Sequence, residues 1–384
     1  MTETLITDKI DRFLTEVRPE TPCLVMDLDL VERAYRGLAE TLPTARVFYA
    51  VKANPAPEIL ERLTRLGGCF DTASRGEIEL VLAAGAGPER ISFGNTIKKE
   101  RDIAWAHAAG VRLYAFDCIA ELEKIARAAP GAQVFCRILV KGEGAKWPLS
   151  KKFGCSPELG VELLTRAREL GLEPYGVSFH VGSQQTDAAQ WDLPIERSAG
   201  MFKALAEKGI QLKLVNLGGG FPGHHYQAGG VPPVAAYGIT IMDSMTRHFG
   251  NDLPEMILEP GRGMVADAGV LHTEVVLVSN RDTRTHRRRW IYLDAGKFNG
   301  LIETLGEVIQ YKIRTPHDGK EAGPVVLAGP TCDSLDILYE KADYRLPLDL
   351  AIGDTVQFIA VGAYCSSYAS VGFNGFAPLK TYCV

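Results

Sequence analysis

Between residue 29 and about residue 266 the sequence alternates short β-rich runs with amphipathic stretches, and this rhythm limits the folds open to it. The β-rich runs fall at 47–51, 69–71, 91–93, 112–116, 134–140, 176–180, 213–217 and 256–259. Between them stand PEILERLTRLG, RGEIELVLAAG, KERDIAWAHAAG, PELGVELLTRARELG and ERSAGMFKALAEKG. These carry apolar residues at helical spacing and end in Gly, as helices with a glycine cap do. Eight such alternations predict a (β/α)8 barrel. A doubly wound α/β sheet is the competitor, because strand order is not readable from one chain.

After residue 266 the texture changes. VLHTEVVLVSN, RRWIYLDAG, GPVVLAG and GDTVQFIAVGAY are β-branched or alternating and are separated by turn residues. Helical periodicity returns only around 300–311. We expect a barrel over 28–266 and a mainly β, sandwich- or barrel-like domain formed by 1–27 plus 267–384. PCLVMDLD (22–29) fits either the β domain or the start of the barrel. RTHRRR (284–289) reads as a solvated hairpin loop in preference to an anion site. GEGAKWPLSKKFG (142–154), rich in Gly and Lys and without periodicity, reads as a mobile loop over the barrel's carboxyl rim.

The totals exclude several classes of function. With 384 residues the chain has room for two real cores. A net charge of −5 offers no general attraction to nucleic acid or anionic membranes. No apolar run is long enough to span a bilayer, and MTETLITDKIDRFLTEVRPE lacks a signal core, so a cytoplasmic protein is expected. Cysteines at 23, 69, 118, 136, 155, 332, 365 and 383 form no C-x-x-C pair, which favours reduced thiols over disulfides or zinc. His224 and His225 adjoin in a Gly-rich loop with no further metal ligand at suitable spacing, so no metal is expected.

Barrel enzymes work at the carboxyl ends of their strands. In the predicted barrel Lys52 ends the first strand and Asp71 the second, Arg137 lies within the fifth, and His180 ends the sixth. Gly218, Gly219 and Gly220 follow the seventh strand, and Glu259 ends the eighth. Each has a plain alternative. Lys52 could snorkel to the surface, His180 could be a satisfied core residue, and Glu259 could cap a helix or pair with Arg262. Together they make a site.

Its chemistry follows from its parts. NLGGGFPG (216–223) lets backbone N–H groups approach an anion, yet matches neither nucleotide-binding glycine motif. EPGRGM (259–264) adds a second glycine turn with an arginine, suited to a phosphate. A desolvated lysine facing a phosphate-bearing carbonyl compound suggests covalent attachment through the amine. From the residues alone, pyridoxal 5'-phosphate and a phosphosugar substrate remain equally open.

FYAVKANP, FDTASRGEIE, ISFGNTIK, VSFHVGSQ, NLGGGFPG, EPGRGM, GPTCDSLDIL and YASVGFNGF, in that order, settle the choice. The chain resembles, essentially end to end, the barrel-fold (fold type III) pyridoxal-phosphate decarboxylases of ornithine and lysine, most like the bacterial ornithine enzymes. The resemblance implies that Lys52 anchors the cofactor covalently, Glu259 pairs with its ring nitrogen and His180 stacks on its ring. It places Asp71 and Glu77 as acids near the ring and Lys52, with Arg137 beside the cofactor. Ser183, the glycine turn at Gly219 and Gly220, Gly261, Arg262 and Tyr364 would bind the phosphate. Cys332 would protonate the substrate's Cα after carbon dioxide leaves, Asp333 would bind the distal ammonium, and Phe373 would pack on the substrate. It further implies a head-to-tail homodimer in which Cys332 and Asp333 serve the partner's site. A Cys332 that is merely a small buried hydrophobe is the plain alternative.

One departure bears on the substrate. Where the family often places an aspartate for the distal amine, GLIETLGEVIQ (300–310) has Gly306 and Glu307, with Glu303 a turn earlier. Glutamate reaches one methylene further than aspartate, a difference worth about 1–3 kcal/mol in selectivity. L-Ornithine, giving putrescine for polyamine biosynthesis, is the first expectation and L-lysine, giving cadaverine, the second; arginine and carboxy-polyamines rank lower. Diaminopimelate decarboxylases usually carry Cys-Glu at the Cys332-Asp333 position, and alanine-racemase-like enzymes a tyrosine. A non-enzymatic homologue of the antizyme-inhibitor kind would have lost cofactor residues that this chain keeps.

Overall fold

The computed structural model describes residues 6–147, 152–223, 230–282 and 287–384. Among the described residues, eight parallel strands close into a barrel. They are β1 (Ala45–Ala50), β2 (Cys69–Thr72), β3 (Ile91–Phe93), β4 (Leu113–Phe116), β5 (Gln133–Arg137), β6 (Glu173–Ser178), β7 (Leu214–Asn216) and β8 (Glu255–Leu258). β8 pairs back onto β1 with Leu258 opposite Val47, and this closure rules out the doubly wound sheet. β1 is buried along both faces except at Arg46, as a parallel strand covered by helices should be. Phe48, Cys69, Leu214 and Ile257 pack together as a buried cluster, with Leu113 and Tyr175 against them.

Helices form where the amphipathic stretches predict them: Pro57–Arg65, Arg75–Ala83, Glu100–Ala108, Pro157–Glu169 and Asp192–Ala206. Pro57 and Pro157 sit in first turns, where no N–H is needed, and Ser156 caps its helix by accepting from the Leu159 N–H. The first two end ahead of Gly67 and Gly85, whose φ values of 84° and 85° are left-handed.

The chain divides into two compact units. One comprises Glu32–Pro222 and Val231–Met264, and the other includes Val265–Val384 and the N-terminal segment to Val31. In the second unit Gly269–Asp282 pairs antiparallel with Arg287–Leu293 and with Thr355–Ile359. Cys23–Met26 pairs antiparallel with the start of that long strand and parallel with Lys380–Cys383. PCLVMDLD therefore feeds the β unit. Among the described residues no helix is long and apolar enough to cross a membrane.

Three expectations for the connecting segments need correction. Arg287–Arg289 belong to a strand, with Arg287 paired to Asp282, because the β-branched and aromatic run continues from Trp290 to Leu293. The rest of RTHRRR, like His224 and His225, lies outside the described residues. Within 142–154, Ala145–Trp147 is a strand paired antiparallel with Ser183–Gln185, while 148–151 lie outside the described residues. The stretch expected to be helical near 300–311 is a 3-10 turn, Ile302–Glu307, broken where Gly306 and Glu307 take φ values of 64° and 57°.

Candidate active site

Lys52 stands just past the first barrel strand, in a 3-10 turn over Val51–Ala53, and does not end the strand itself. Val51 and Ala53 are fully buried and lock the turn's backbone, while Lys52 is exposed instead of desolvated as expected. The Ala50 N–H donates to the Pro260 carbonyl at 3.0 Å, so the turn after β8 supports the turn that carries the lysine. Gly261 makes this approach possible. A Cβ there would lie 3.0 Å from the Ala53 Cβ and 3.3 Å from the Ala50 Cβ.

The register of β1, β2 and β3 sets Ala50, Asp71 and Ser92 side by side, which places Asp71 inside its strand and not at the end. The Ser92 hydroxyl donates to Asp71 Oδ1 at 3.1 Å. Burial raises the Asp71 carboxyl, opposed by the charges of Lys52 and Arg137 and by this hydrogen bond. Ser74 caps the next helix, and Glu77 Oε2 reaches back to the Ala73 N–H at 2.6 Å. Burial and Asp71 raise Glu77, while the Ala73 N–H and Lys52 oppose them. Arg137 lies within the fifth strand as expected, as the last residue of β5, and sits among Glu259, Asp117 and Asp71.

His180 follows β6 by two residues. Its Nδ1 accepts from the Gly182 N–H at 3.0 Å, so the neutral ring carries its proton on Nε2. Burial first, then Arg137 and Lys52, hold the imidazole well below its usual range. A Cβ on Gly219 would lie 3.2 Å from His180 Nε2 and 2.5 Å from the Glu259 carbonyl, so only a glycine lets the turn pack this close to both. Asn216, which ends β7, donates from Nδ2 to Glu259 Oε1 at 2.5 Å. Glu259 is pushed up to about 8 by burial and by Asp71, against the opposing effects of Asn216, Lys52 and Arg137. At the side of the glycine turn Arg262, itself buried, donates from Nε to Ser183 Oγ at 3.3 Å. A Cβ on Gly220, whose φ is 112°, would meet the Gly182 carbonyl at 2.7 Å.

The barrel unit thus brings together Lys52, Asp71, Glu77, Arg137, His180 and Glu259 around one electrostatic centre, with Ser183, Gly219, Gly220, Gly261 and Arg262 along the glycine turns. Pyridoxal phosphate fits this set: an amine, an acid held ready for a cation, a neutral imidazole face, and glycine cradles beside a buried arginine.

The β unit carries the other candidates. Cys332 is exposed on the loop after Ala322–Ala328, and Asp333 caps the following turn by accepting from the Leu335 N–H at 2.8 Å. Asp336, 2% exposed, accepts from the Lys297 N–H at 2.7 Å and from the Thr331 N–H and hydroxyl at 3.1 and 2.7 Å. Phe373 packs on Phe298 with ring centroids 4.7 Å apart, and Tyr364 holds a left-handed φ of 60°. Glu307 is occupied by the scaffold. Its Oε1 accepts from the backbone of Glu340 and Lys341 at 2.9 and 2.8 Å, so one oxygen of the carboxylate expected to meet a substrate is held by the scaffold. Glu303, by contrast, is buried and takes a bond from the Tyr311 hydroxyl at 3.4 Å.

Asn216 and Asp336 escaped the sequence reading. The signal for Asn216 was its place two residues before three glycines, with only Leu217 between. Gly296 and Gly329 crowd the Asp336 carboxylate, and neither glycine carried meaning without the fold.

Residues 28–266 match the family described as pyridoxal-dependent decarboxylase, pyridoxal binding domain. A decarboxylase of Aspergillus flavus, flvG, is 36% identical over 92% of this chain and 84% of its own length. The lysine/ornithine decarboxylase of Selenomonas ruminantium is 34% identical over 94% of this chain and 88% of its own. The crystal structure of the lysine/ornithine decarboxylase of Vibrio vulnificus with putrescine superposes with a TM-score of 0.86 at 30% identity, covering 100% of this chain and 99% of that one.

Proposed function

The chain belongs to the pyridoxal-dependent decarboxylase family, and on that premise we propose that it converts L-ornithine into putrescine and carbon dioxide. The observation that carries this reading is the rim of the barrel, where Lys52, the raised Glu259 and the neutral His180 meet. Asp333 beside Cys332 gives the reading its basic substrate, since a carboxylate there suits a distal ammonium. L-Lysine is the second substrate, because a relative of this fold is known with both putrescine and cadaverine.

Pyridoxal phosphate supplies an aldehyde and a protonated ring that accept the electron pair left when carbon dioxide departs. Lys52 would be the amine that holds the cofactor's aldehyde until a substrate amine takes its place. Glu259 would pair with the ring nitrogen and keep it protonated, and His180 would support the ring face. Gly219, Gly220 and Gly261 offer backbone N–H groups to the phosphate, and Ser183, Arg262 and Tyr364 complete its grip. Asp71, Glu77 and Arg137 balance the charge around Lys52. Cys332 returns a proton to Cα, with Phe373 packing on the substrate. A second copy of the chain brings Cys332 and Asp333 to each Lys52. Exposed Leu335 beside Cys332, and exposed Tyr368 and Val371 ahead of Phe373 and Asn374, favour such a partner.

Ornithine, lysine, arginine and diaminopimelate offered together should yield putrescine foremost and cadaverine second. Turnover of diaminopimelate alone would sink the basic-substrate reading. Borohydride should trap the cofactor on a peptide containing Lys52, and the yellow cofactor band should be absent from Lys52→Ala. A band of wild-type strength in that variant would refute the assignment of the lysine.

A further inference from the structure

Cys332 is met by one side chain from a distant part of the sequence. Asn374 Oδ1 lies 3.2 Å from the Cys332 backbone nitrogen and 3.5 Å from its sulfur. A backbone N–H only donates, so the atom it faces must be the amide oxygen and not the amide nitrogen. The same oxygen is then an acceptor for the thiol S–H. A free thiol on an exposed loop samples three rotamers. This contact selects the one that keeps the S–H against Asn374.

Asn374 is itself held in place. Its φ of 51° is left-handed, a conformation that Asn tolerates better than most residues. Gly372 and Gly375 on either side are also left-handed, at 74° and 79°. Phe373 packs on Phe298, and Ser370 donates to the Phe298 carbonyl from its N–H at 2.9 Å and its hydroxyl at 2.7 Å. The turn is anchored before the thiol arrives, and on the Cys332 side Asp336 anchors Thr331.

Resting on the reading of Cys332 as the proton donor, we propose that Asn374 is its positioning residue, holding the thiol in one rotamer until Cα needs the proton. In that step the S–H bond breaks, a C–H bond forms at Cα, and the S–H electron pair stays on sulfur as thiolate, which solvent reprotonates. Without Asn374 the thiol turns away more often, and the proton goes instead to the cofactor's own carbon. That misdirected turnover ends, after hydrolysis, in an aldehyde product and the amino form of the cofactor.

The test compares wild type, Cys332→Ala, Asn374→Gly and Asn374→Asp as full-length holoenzyme. Asn374→Gly keeps the left-handed backbone and removes only the acceptor. The fraction of turnovers ending in the amino form of the cofactor should become the large majority in Cys332→Ala and rise about threefold over wild type in Asn374→Gly, while carbon dioxide release changes less. Peptide-resolved alkylation of Cys332 by iodoacetamide, in protein stripped of cofactor, gives a second readout. It should slow in Asn374→Asp, where a carboxylate opposes the thiolate, and quicken in Asn374→Gly. If Cys332→Ala misdirects turnover but Asn374→Gly behaves as wild type, the positioning role is overturned and the donor reading stands. If Cys332→Ala leaves the partition unchanged, both fall.

Discussion

Asn216 joins the two turns of the barrel rim to Glu259: its Nδ2 donates to Glu259 Oε1 at 2.5 Å while its Oδ1 accepts from the Gly218 N–H at 2.9 Å. The glycine turn after β7 and the buried acid after β8 are therefore set by one side chain. The Glu259 N–H completes the link by donating to the Gly218 carbonyl at 2.8 Å.

Burial makes the state of Glu259 depend on pH in a way that can be measured. Its folded value is raised to about 8 from an ordinary 4.5, so the native protein keeps a proton that the unfolded chain has lost. Its contribution to stability is full below the ordinary carboxylate value and declines as pH rises through that window to the folded value. Thermal melts of cofactor-free protein should therefore show a loss between about pH 5 and pH 8 that Glu259→Gln removes. The same variant should lose about a hundredfold or more in turnover, because a neutral amide cannot hold the ring nitrogen protonated. A Gln variant with the wild-type melting profile would count against the buried acid.

Gly261 should tolerate no side chain. A Cβ at 3.0 Å from the Ala53 Cβ and 3.3 Å from the Ala50 Cβ presses on the turn that carries Lys52. Gly261→Ala should cost about 1–3 kcal/mol in denaturant unfolding. It should also weaken cofactor retention on dialysis more than an equally destabilising substitution remote from the rim. Equal retention would mean that the turn adjusts without moving the lysine.

The eight barrel strands were legible because parallel strands under helices read as apolar runs, and the capped helices between them read as period-3.6 stretches. Lys52, His180 and Glu259 were found by asking what stands at the strand ends, though the structure moves Lys52 into a 3-10 turn. What stayed hidden depends on contacts distant in sequence. Asp336 joins the Lys297 turn to the Thr331 loop across 39 residues, and Asn374 reaches Cys332 across 42. Neither pairing leaves a periodic trace. Glu307 was hidden in another way: its identity suggested a ligand, while its left-handed backbone and its bond to the Glu340 loop are unreadable from sequence.

That geometry gives Glu307 a structural consequence. Removing its carboxylate leaves the Glu340 and Lys341 N–H groups without their acceptor, at an exposed site where water substitutes in part. Glu307→Ala should lower stability by about 1 kcal/mol and leave the ornithine-to-lysine ratio of kcat/KM nearly unchanged. A shift of that ratio by tenfold would return Glu307 to the substrate's side of the problem.

The proposed sharing of sites between two copies of the chain makes an arithmetical prediction. Lys52→Ala removes the amine, and Cys332→Ala removes the thiol, so each variant alone should be nearly inactive in forming the amine product. In a mixed dimer the Lys52→Ala chain still offers Cys332 to the Lys52 of the Cys332→Ala chain, and one of the two sites is whole. Random reassortment makes half the dimers mixed, so the mixture should recover about one quarter of wild-type product formation. If each site were built within a single chain, mixing would recover nothing, since no chain in the mixture would carry both residues. The same samples, run by analytical ultracentrifugation, should sediment as dimers, and a monomer fully active at the assay concentration would exclude the shared site.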